Sequence, residues 1–131
     1  MASEDKSRLL CLPQQFPRVF GTEPVAFEHA AGWAQLLSLL AARINTILES
    51  DPDATMRISQ IKEKFGELRF YYQLSNASET IHEAVREAVD AACDASTSVC
   101  EICGRPGTSG NRSGWWRVRC PSCTAAEQRR R

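Results

Sequence analysis

The chain has 131 residues, 43% of them hydrophobic, a size that suits one modest domain or a small domain with an appended metal module. Its polar, mixed-charge start lacks the cationic-then-apolar pattern of a signal peptide, and its longest apolar run, Trp33 to Ile44, is broken by Gln35, Ser38 and Arg43 and is too short to span a bilayer; a soluble, cytoplasmic protein with no membrane partner is expected. The formal net charge of zero hides an asymmetry: residues 1–98 hold nine Lys or Arg against fourteen Asp or Glu, a net of −5, while residues 99–131 hold seven Arg against two Glu, a net of +5.

In chain order, residues 9–27 carry three prolines and a glycine among large apolar side chains. Proline blocks helix continuation and the apolar density argues against disorder, so residues 1–28 are expected to be an irregular arm packed on the core. From His29 to Ser50, Trp33, Leu36, Leu37, Leu40, Ile44, Ile47 and Leu48 recur at three- and four-residue steps, the stripe of an amphipathic helix that Asp51-Pro52 ends. Residues 67–74 alternate, with Leu68, Phe70, Tyr72 and Leu74 on one face, and Phe65-Gly66 stands where a turn belongs; a β-hairpin over 55–63 and 67–74 is predicted. Two strands are marginal in water, so the hairpin must lie on helices or gain further strands. Capping patterns at Asn76 to Glu79 and at Thr80 to Glu83 open a second helix running to about Ala95, with Ile81, Ala84, Val85, Ala88, Val89 and Ala92 on its apolar face. Residues 29–97 therefore form a helix, hairpin, helix body, and residues 98–131 a basic tail module. In that module residues 105–114 are a loop by composition, Trp115 to Arg119 a short strand, and Thr124 onward helix-forming.

The tail module carries the clearest chemical signal. Cys100-Glu-Ile-Cys103 and Cys120-Pro-Ser-Cys123 are two C-x2-C pairs separated by sixteen residues. Each pair presents two thiolates from one tight turn and together they complete a tetrahedron, so Cys100, Cys103, Cys120 and Cys123 are predicted to bind one structural Zn²⁺. A first pair on a turn, a hairpin and a second pair opening a helix would be a treble clef; both pairs on hairpin turns would be a zinc ribbon. The expected fold class is α+β, a helix, hairpin, helix body with a treble-clef-like or zinc-ribbon module. Two disulfides are the alternative, but nothing in the sequence indicates export. Cys11 and Cys93 are expected to be reduced and packed.

A four-cysteine site leaves the metal no open position, which makes it structural and points away from an enzyme. His29 and His82 lack a constrained catalytic partner. Lys62, Lys64, Arg69 and Tyr71 could form a basic stacking surface for single-stranded nucleic acid, but Glu63 and Glu67 cancel the charge and favour an ordinary solvated hairpin face. Trp115 and Trp116 point to opposite faces of a strand; one of them left exposed beside Arg112, Arg117 and Arg119 would suit a protein-binding hot spot, and the alternative is that both weld the module to the helices.

Gly32-Trp33 opening a helix, the segment Gln60-Ile-Lys-Glu-Lys-Phe-Gly-Glu-Leu-Arg-Phe-Tyr71, Cys100-Glu-Ile-Cys-Gly104, Gly114-Trp-Trp and the closing cysteine pair together resemble a family of small, largely uncharacterised zinc-binding proteins of bacteriophages, prophages and bacteria. The likeness covers about residues 29–123, and Lys-Glu-Lys-Phe-Gly is its most specific part. The family's last ligand is often His, where Cys123 stands here, which keeps a metal site but makes it all sulfur. The resemblance implies a phage or mobile-element origin. The expected function is that of a non-enzymatic, zinc-stabilised protein-interaction protein, a phage-encoded inhibitor of a host defence system of the anti-CRISPR type. The alternative is a nucleic-acid-binding regulator that uses the basic module. A protein partner is expected, nucleic acid is the competing partner, and a homodimer is compatible with either.

Overall fold

The computed structural model describes residues 2–22, 24–112 and 115–129, and the side chains of 6–22, 24–111 and 116–126. The long helix predicted from the leucine stripe is α3, Ala34–Glu49, entered through a 3-10 turn at Ala31–Trp33. Its i, i+3 and i+4 positions Leu37, Leu40, Ala41, Ile44 and Leu48 are buried, and they form the middle of the core. Helix α4, Glu79–Ser96, packs beside it through Ile81, Val85, Ala88, Val89 and Ala92. The α4 cap is Ser78 rather than either predicted capping residue: its Oγ accepts from the N–H of Ile81. Ser78 has the oxygen-bearing side chain of a cap but Ile81, not glutamate, three residues on, so the pattern passes over it; its extended backbone places it at the cap.

The N-terminal segment corrects the expectation of an irregular arm. Residues Ala2–Gln15 form helix α1 and Pro17–Phe20 a further helical turn, α2. The prolines act as helix punctuation here. Pro13 falls in the last turn of α1, where a single backbone donor is lost, and Pro17 sits at the first position of α2, whose N–H needs no intrahelical partner. The apolar residues Leu9, Leu12, Val19 and Phe20 are buried at helical spacing. Arg18 then reaches the far end of α3, where its guanidinium donates to the carbonyls of Leu48, Asp51 and Ala54. The last turn of α3 and the loop after it thereby gain a cation.

The hairpin is β2, Thr55–Lys64, and β3, Glu67–Ser75, antiparallel, with Lys64 opposite Glu67 across the two-residue turn. Phe65 and Gly66 both have positive φ, 56° and 76°, the conformation that suits the strands' twist. Met56 and Ile58 face the core, and the next inward residue is Ile61, three positions on. A register shift between Ile58 and Gln60 accounts for that phase change, an extra residue in β2 being a bulge. The third strand is β1, Phe27–Glu28, parallel to β2, with Phe27 opposite Ile61. It comes from the segment expected to be irregular and extends the hairpin into a sheet.

In the tail module, β4, Thr108–Arg112, pairs antiparallel with β5, Trp115–Arg119, and α5 follows over Pro121–Arg129. The strand at 108–112 corrects the expectation of a loop there. Its small and polar residues carry no apolar alternation, and pairing with β5 supplies the order. Among the described residues no helix is long and apolar enough to cross a membrane.

Candidate metal centre

The first cysteine pair sits on a turn whose backbone is closed twice. The N–H of Cys100 donates to Arg105 O at 2.7 Å, and the N–H of Gly104 donates to Cys100 O at 2.9 Å. Gly104 has φ of 80°, and a Cβ there would lie 2.9 Å from Gly32 O, so both the backbone and the space require glycine. The second pair straddles the end of β5 and the first turn of α5: Cys120 follows the strand, Cys123 lies inside the helix, and Thr124 N–H donates to Cys120 O. The four Sγ atoms all fall within 4.8 Å of one another, and Cys103 Sγ and Cys120 Sγ are 3.5 Å apart. All four cysteines are free thiols, Cys100 and Cys120 buried and the other two half-buried.

Four sulfurs at this spacing fit a metal ion. Bonds of about 2.3 Å to a tetrahedral centre place sulfurs about 3.8 Å apart, inside the spread seen here. The electrostatics agree. The Cys123 N–H, 3.4 Å from Cys120 Sγ, pulls that thiol down to about 6, whereas burial pushes Cys103 and Cys123 up. One thiolate is readily formed, and ionising its neighbours needs a cation among them.

The module is locked to the body by contacts around Gly32 and Trp33. Gly32 N–H donates to Glu101 O at 2.7 Å, and a Cβ on Gly32 would collide with the carbonyls of Cys100 and Glu101. Trp33, fully buried, donates its Nε1–H to Val99 O at 3.0 Å. Glu101, a buried carboxylate one residue past the first ligand, accepts from Ala30 N–H through Oε2 and from Arg119 through Oε1, each at 3.2 Å. Sequence reasoning passes over Glu101. A charged residue inside a C-x2-C turn reads as exposed until the partner strand and the Gly32 segment are folded against it.

The predicted binding residues separate. Trp116 is 47% exposed, and the indole that ties body to module is that of Trp33, through Val99 O. Arg119 is turned inward to Glu101 and the Val118 carbonyl. Arg117 is half-buried on β5, Lys62 is half-buried on β2, and Lys64 is exposed. Lys64 Nζ lies 5.5 Å from the Phe65 ring centre and Lys62 Nζ 6.0 Å from that of Tyr71. Arg112 and Trp115 close the β4–β5 hairpin as a backbone pair, and their side chains lie outside the described residues. Phe65, which the sequence marks only by its place in a turn, is 66% exposed. The backbone at Gly66 packs on that of Trp116 and Arg117, and a Cβ on Gly66 would lie 3.4 Å from Arg117 N, so the hairpin turn and β5 put Phe65 and Trp116 at neighbouring positions.

Cys11 is exposed rather than packed, because it lies on the outer side of an α1 whose Leu9 and Leu12 face inward. Cys93 is half-buried, and desolvation raises its thiol to about 11. Compared with family models, with curated proteins and with solved structures, the chain matches none.

Proposed function

We propose that this is a non-catalytic, zinc-stabilised protein-interaction protein whose contact face is the place where the β2–β3 turn meets β5. The observation that carries the reading is the exposure of two large aromatic side chains, Phe65 at 66% and Trp116 at 47%, on a turn and a strand whose backbones meet at Gly66. Phe65 also adopts a left-handed backbone conformation that is unfavourable for a bulky residue and buries little in return. Exposed Trp and aromatic anchors flanked by cations are the usual composition of a binding hot spot. Lys62 and Lys64 place cations over the Tyr71 and Phe65 rings, and Glu63 and Glu67 balance their charge, so the aromatic side chains rather than net charge would carry the contact.

In this reading the cysteine cluster is a scaffold. Zinc suits it best, since four thiolates in a tetrahedral set favour that ion and leave it no position for substrate. The order turn, hairpin, helix supports a treble clef over a zinc ribbon. The narrower role, a phage-encoded inhibitor of a host defence system of the anti-CRISPR kind, rests on the resemblance of the 60–71 segment and the cysteine pairs. Affinity purification from a host lysate should recover one stoichiometric protein with the wild type and lose it with Phe65→Asn or Trp116→Ser. Recovery of no partner, or capture indifferent to both substitutions, would overturn the reading.

Trp116 beside Arg117 favours a second reading, a nucleic-acid-binding regulator. The count of cations weighs against it, because Arg119 is paired with Glu101 and four metal-bound thiolates leave the module less basic. A steep fall of binding with salt on single-stranded or duplex probes would support it over the first.

A further inference from the structure

Strand β3 is an outer strand of the sheet, with β2 on one side only. The two-residue turn makes Lys64 and Glu67 a bonded pair, so Glu67, Arg69, Tyr71 and Gln73 turn their N–H and C=O groups to β2. The bulge lies in β2 and leaves that order intact along β3. Leu68, Phe70 and Tyr72 therefore turn theirs outward. Ser96 of α4 marks the direction, since its Oγ accepts from the N–H of Leu68 at 2.9 Å and closes the edge at that end. Among the described residues, no further partner meets the outward groups of Phe70 or Tyr72. Neither a proline nor a bulge interrupts β3, so the edge keeps the form of a template for one more strand.

Along this edge, between β3 and α4, runs an open groove of about 370 Å³. Phe70, whose ring belongs to the core, borders it, with Val89 and Cys93 of α4 opposite. Its charged lining is Glu67, Asp90 and Asp94 against Arg69, three carboxylates to one guanidinium. None of the three carboxylates has an ion-pair partner among the described residues. A groove between a sheet edge and a helix suits an added strand, whose main-chain bonds supply affinity and whose alternate side chains supply choice. A second copy of this chain fits worse. Pairing β3 with β3 about a two-fold axis would bring both α4 helices to one face of the joined sheet and set Asp90 and Asp94 of one copy against those of the other.

We propose that the β3 edge and α4 bind an extended segment of another protein as a fourth strand, with a lysine or arginine of that segment set among Glu67, Asp90 and Asp94. The inference stands apart from the Phe65 and Trp116 face: it is read at the amides of β3, and either can fail alone.

Two capped hexapeptides test it, one alternating lysine with valine and the other glutamate with valine. In the zinc-loaded full-length chain, the lysine peptide should shift the Phe70 and Tyr72 amide resonances saturably and slow their hydrogen exchange. It should bind about tenfold more tightly than the glutamate peptide, the value of two exposed ion pairs. Asp90→Asn with Asp94→Asn, both at exposed helix positions, should remove most of that preference. Methylating every second backbone nitrogen of the lysine peptide separates strand pairing from charge alone: one of the two alternating sets should abolish binding and the other should leave it. No saturable shift at Phe70 or Tyr72 up to about 10 mM peptide, a range that covers millimolar affinity, would overturn the proposal. So would equal binding of the two peptides, a preference that the double substitution leaves unchanged, or binding indifferent to methylation of either set. Protection of Phe70 and Tyr72 that grows with protein concentration in the absence of peptide would place a second copy on the edge and overturn it too.

Discussion

Phenylalanine in a left-handed turn position works against the stability of its own hairpin. Position 65 of a two-residue turn of this kind favours Asn, Asp or Gly, and a bulky side chain there costs about 1–2 kcal/mol. Phe65→Asn should therefore raise the free energy of unfolding by about 1 kcal/mol, read as a higher urea midpoint at unchanged slope. A drop in stability would mean that Phe65 packs on something and is not a free aromatic. Gly32 poses the opposite case. Its only fault in sequence terms is to open a helix poorly, yet the carbonyls of Cys100 and Glu101 lie where a Cβ would go. Gly32→Ala has to push the first cysteine turn away, which should cost about 3 kcal/mol or more, at the top of the range for strain at a special backbone site. It should also weaken metal retention in competition with a chromophoric chelator. Full retention at wild-type stability would show that the turn moves freely. His29 titrates in the sense set by its depressed folded value: the unfolded chain takes up the proton first, so stability is full above pH 6.5 and falls as pH drops through the folded value. His29→Phe should flatten that part of the stability profile relative to the wild type at matched zinc loading. Identical profiles would mean that the ring is not buried in the fold.

Among the elements, α3 depends on a residue distant in sequence. Arg18 gives a charged donor to one carbonyl in the last turn of α3, Leu48 O, and to two in the loop that follows, Asp51 O and Ala54 O, and hydrogen bonds to charged groups are worth about 1.5–3 kcal/mol. Arg18→Ala should lower the unfolding free energy by about 2 kcal/mol, while Arg18→Lys, a point charge in place of a fork, should recover a part of it. Loss of less than about 0.5 kcal/mol, the size of an ordinary surface change, would deny the cap its role. Elements built from strong local patterns are legible in the sequence: α3 from its leucines, α4 from its narrow apolar face, and β2–β3 from alternation around Phe65-Gly66. Helices α1 and α2 escape that reading for a local reason. Proline counts as a breaker until its place within a turn is considered, although Leu9, Leu12, Phe16 and Val19 already stand at helical steps. Strand β1 is not legible, since two residues carry no period and a parallel pairing with β2 exists only once α3 has brought the segment back.

Across the molecule, the cysteine cluster is the joint that holds the tail module in shape, and Gly32, Trp33 and Glu101 transmit that shape to the helices. Among the described residues of the module, Val118, Cys100 and Cys120 are the buried apolar ones, a small core, and a structural zinc would contribute about 10–16 kcal/mol to a fold of this size. A high-affinity chelator should abolish β4, β5 and α5, and because Trp33 donates to Val99 O it should also red-shift tryptophan emission from the body as that indole gains water. Less than about half an equivalent of zinc in protein purified without chelator would refute the four-thiolate site, which needs near-stoichiometric metal at such affinities. The four clustered cysteines, the helix, hairpin, helix order and the turn at Phe65-Gly66 can all be read from the chain alone, because each depends on spacing or periodicity within a few turns of backbone. Which aromatics stay in water, the attachment of Arg119 to Glu101, and the His29 ring packed between Phe27 and Trp33 emerge only in the folded arrangement. Those facts depend on which distant surfaces meet, and burial, unlike periodicity, has no signature in local sequence.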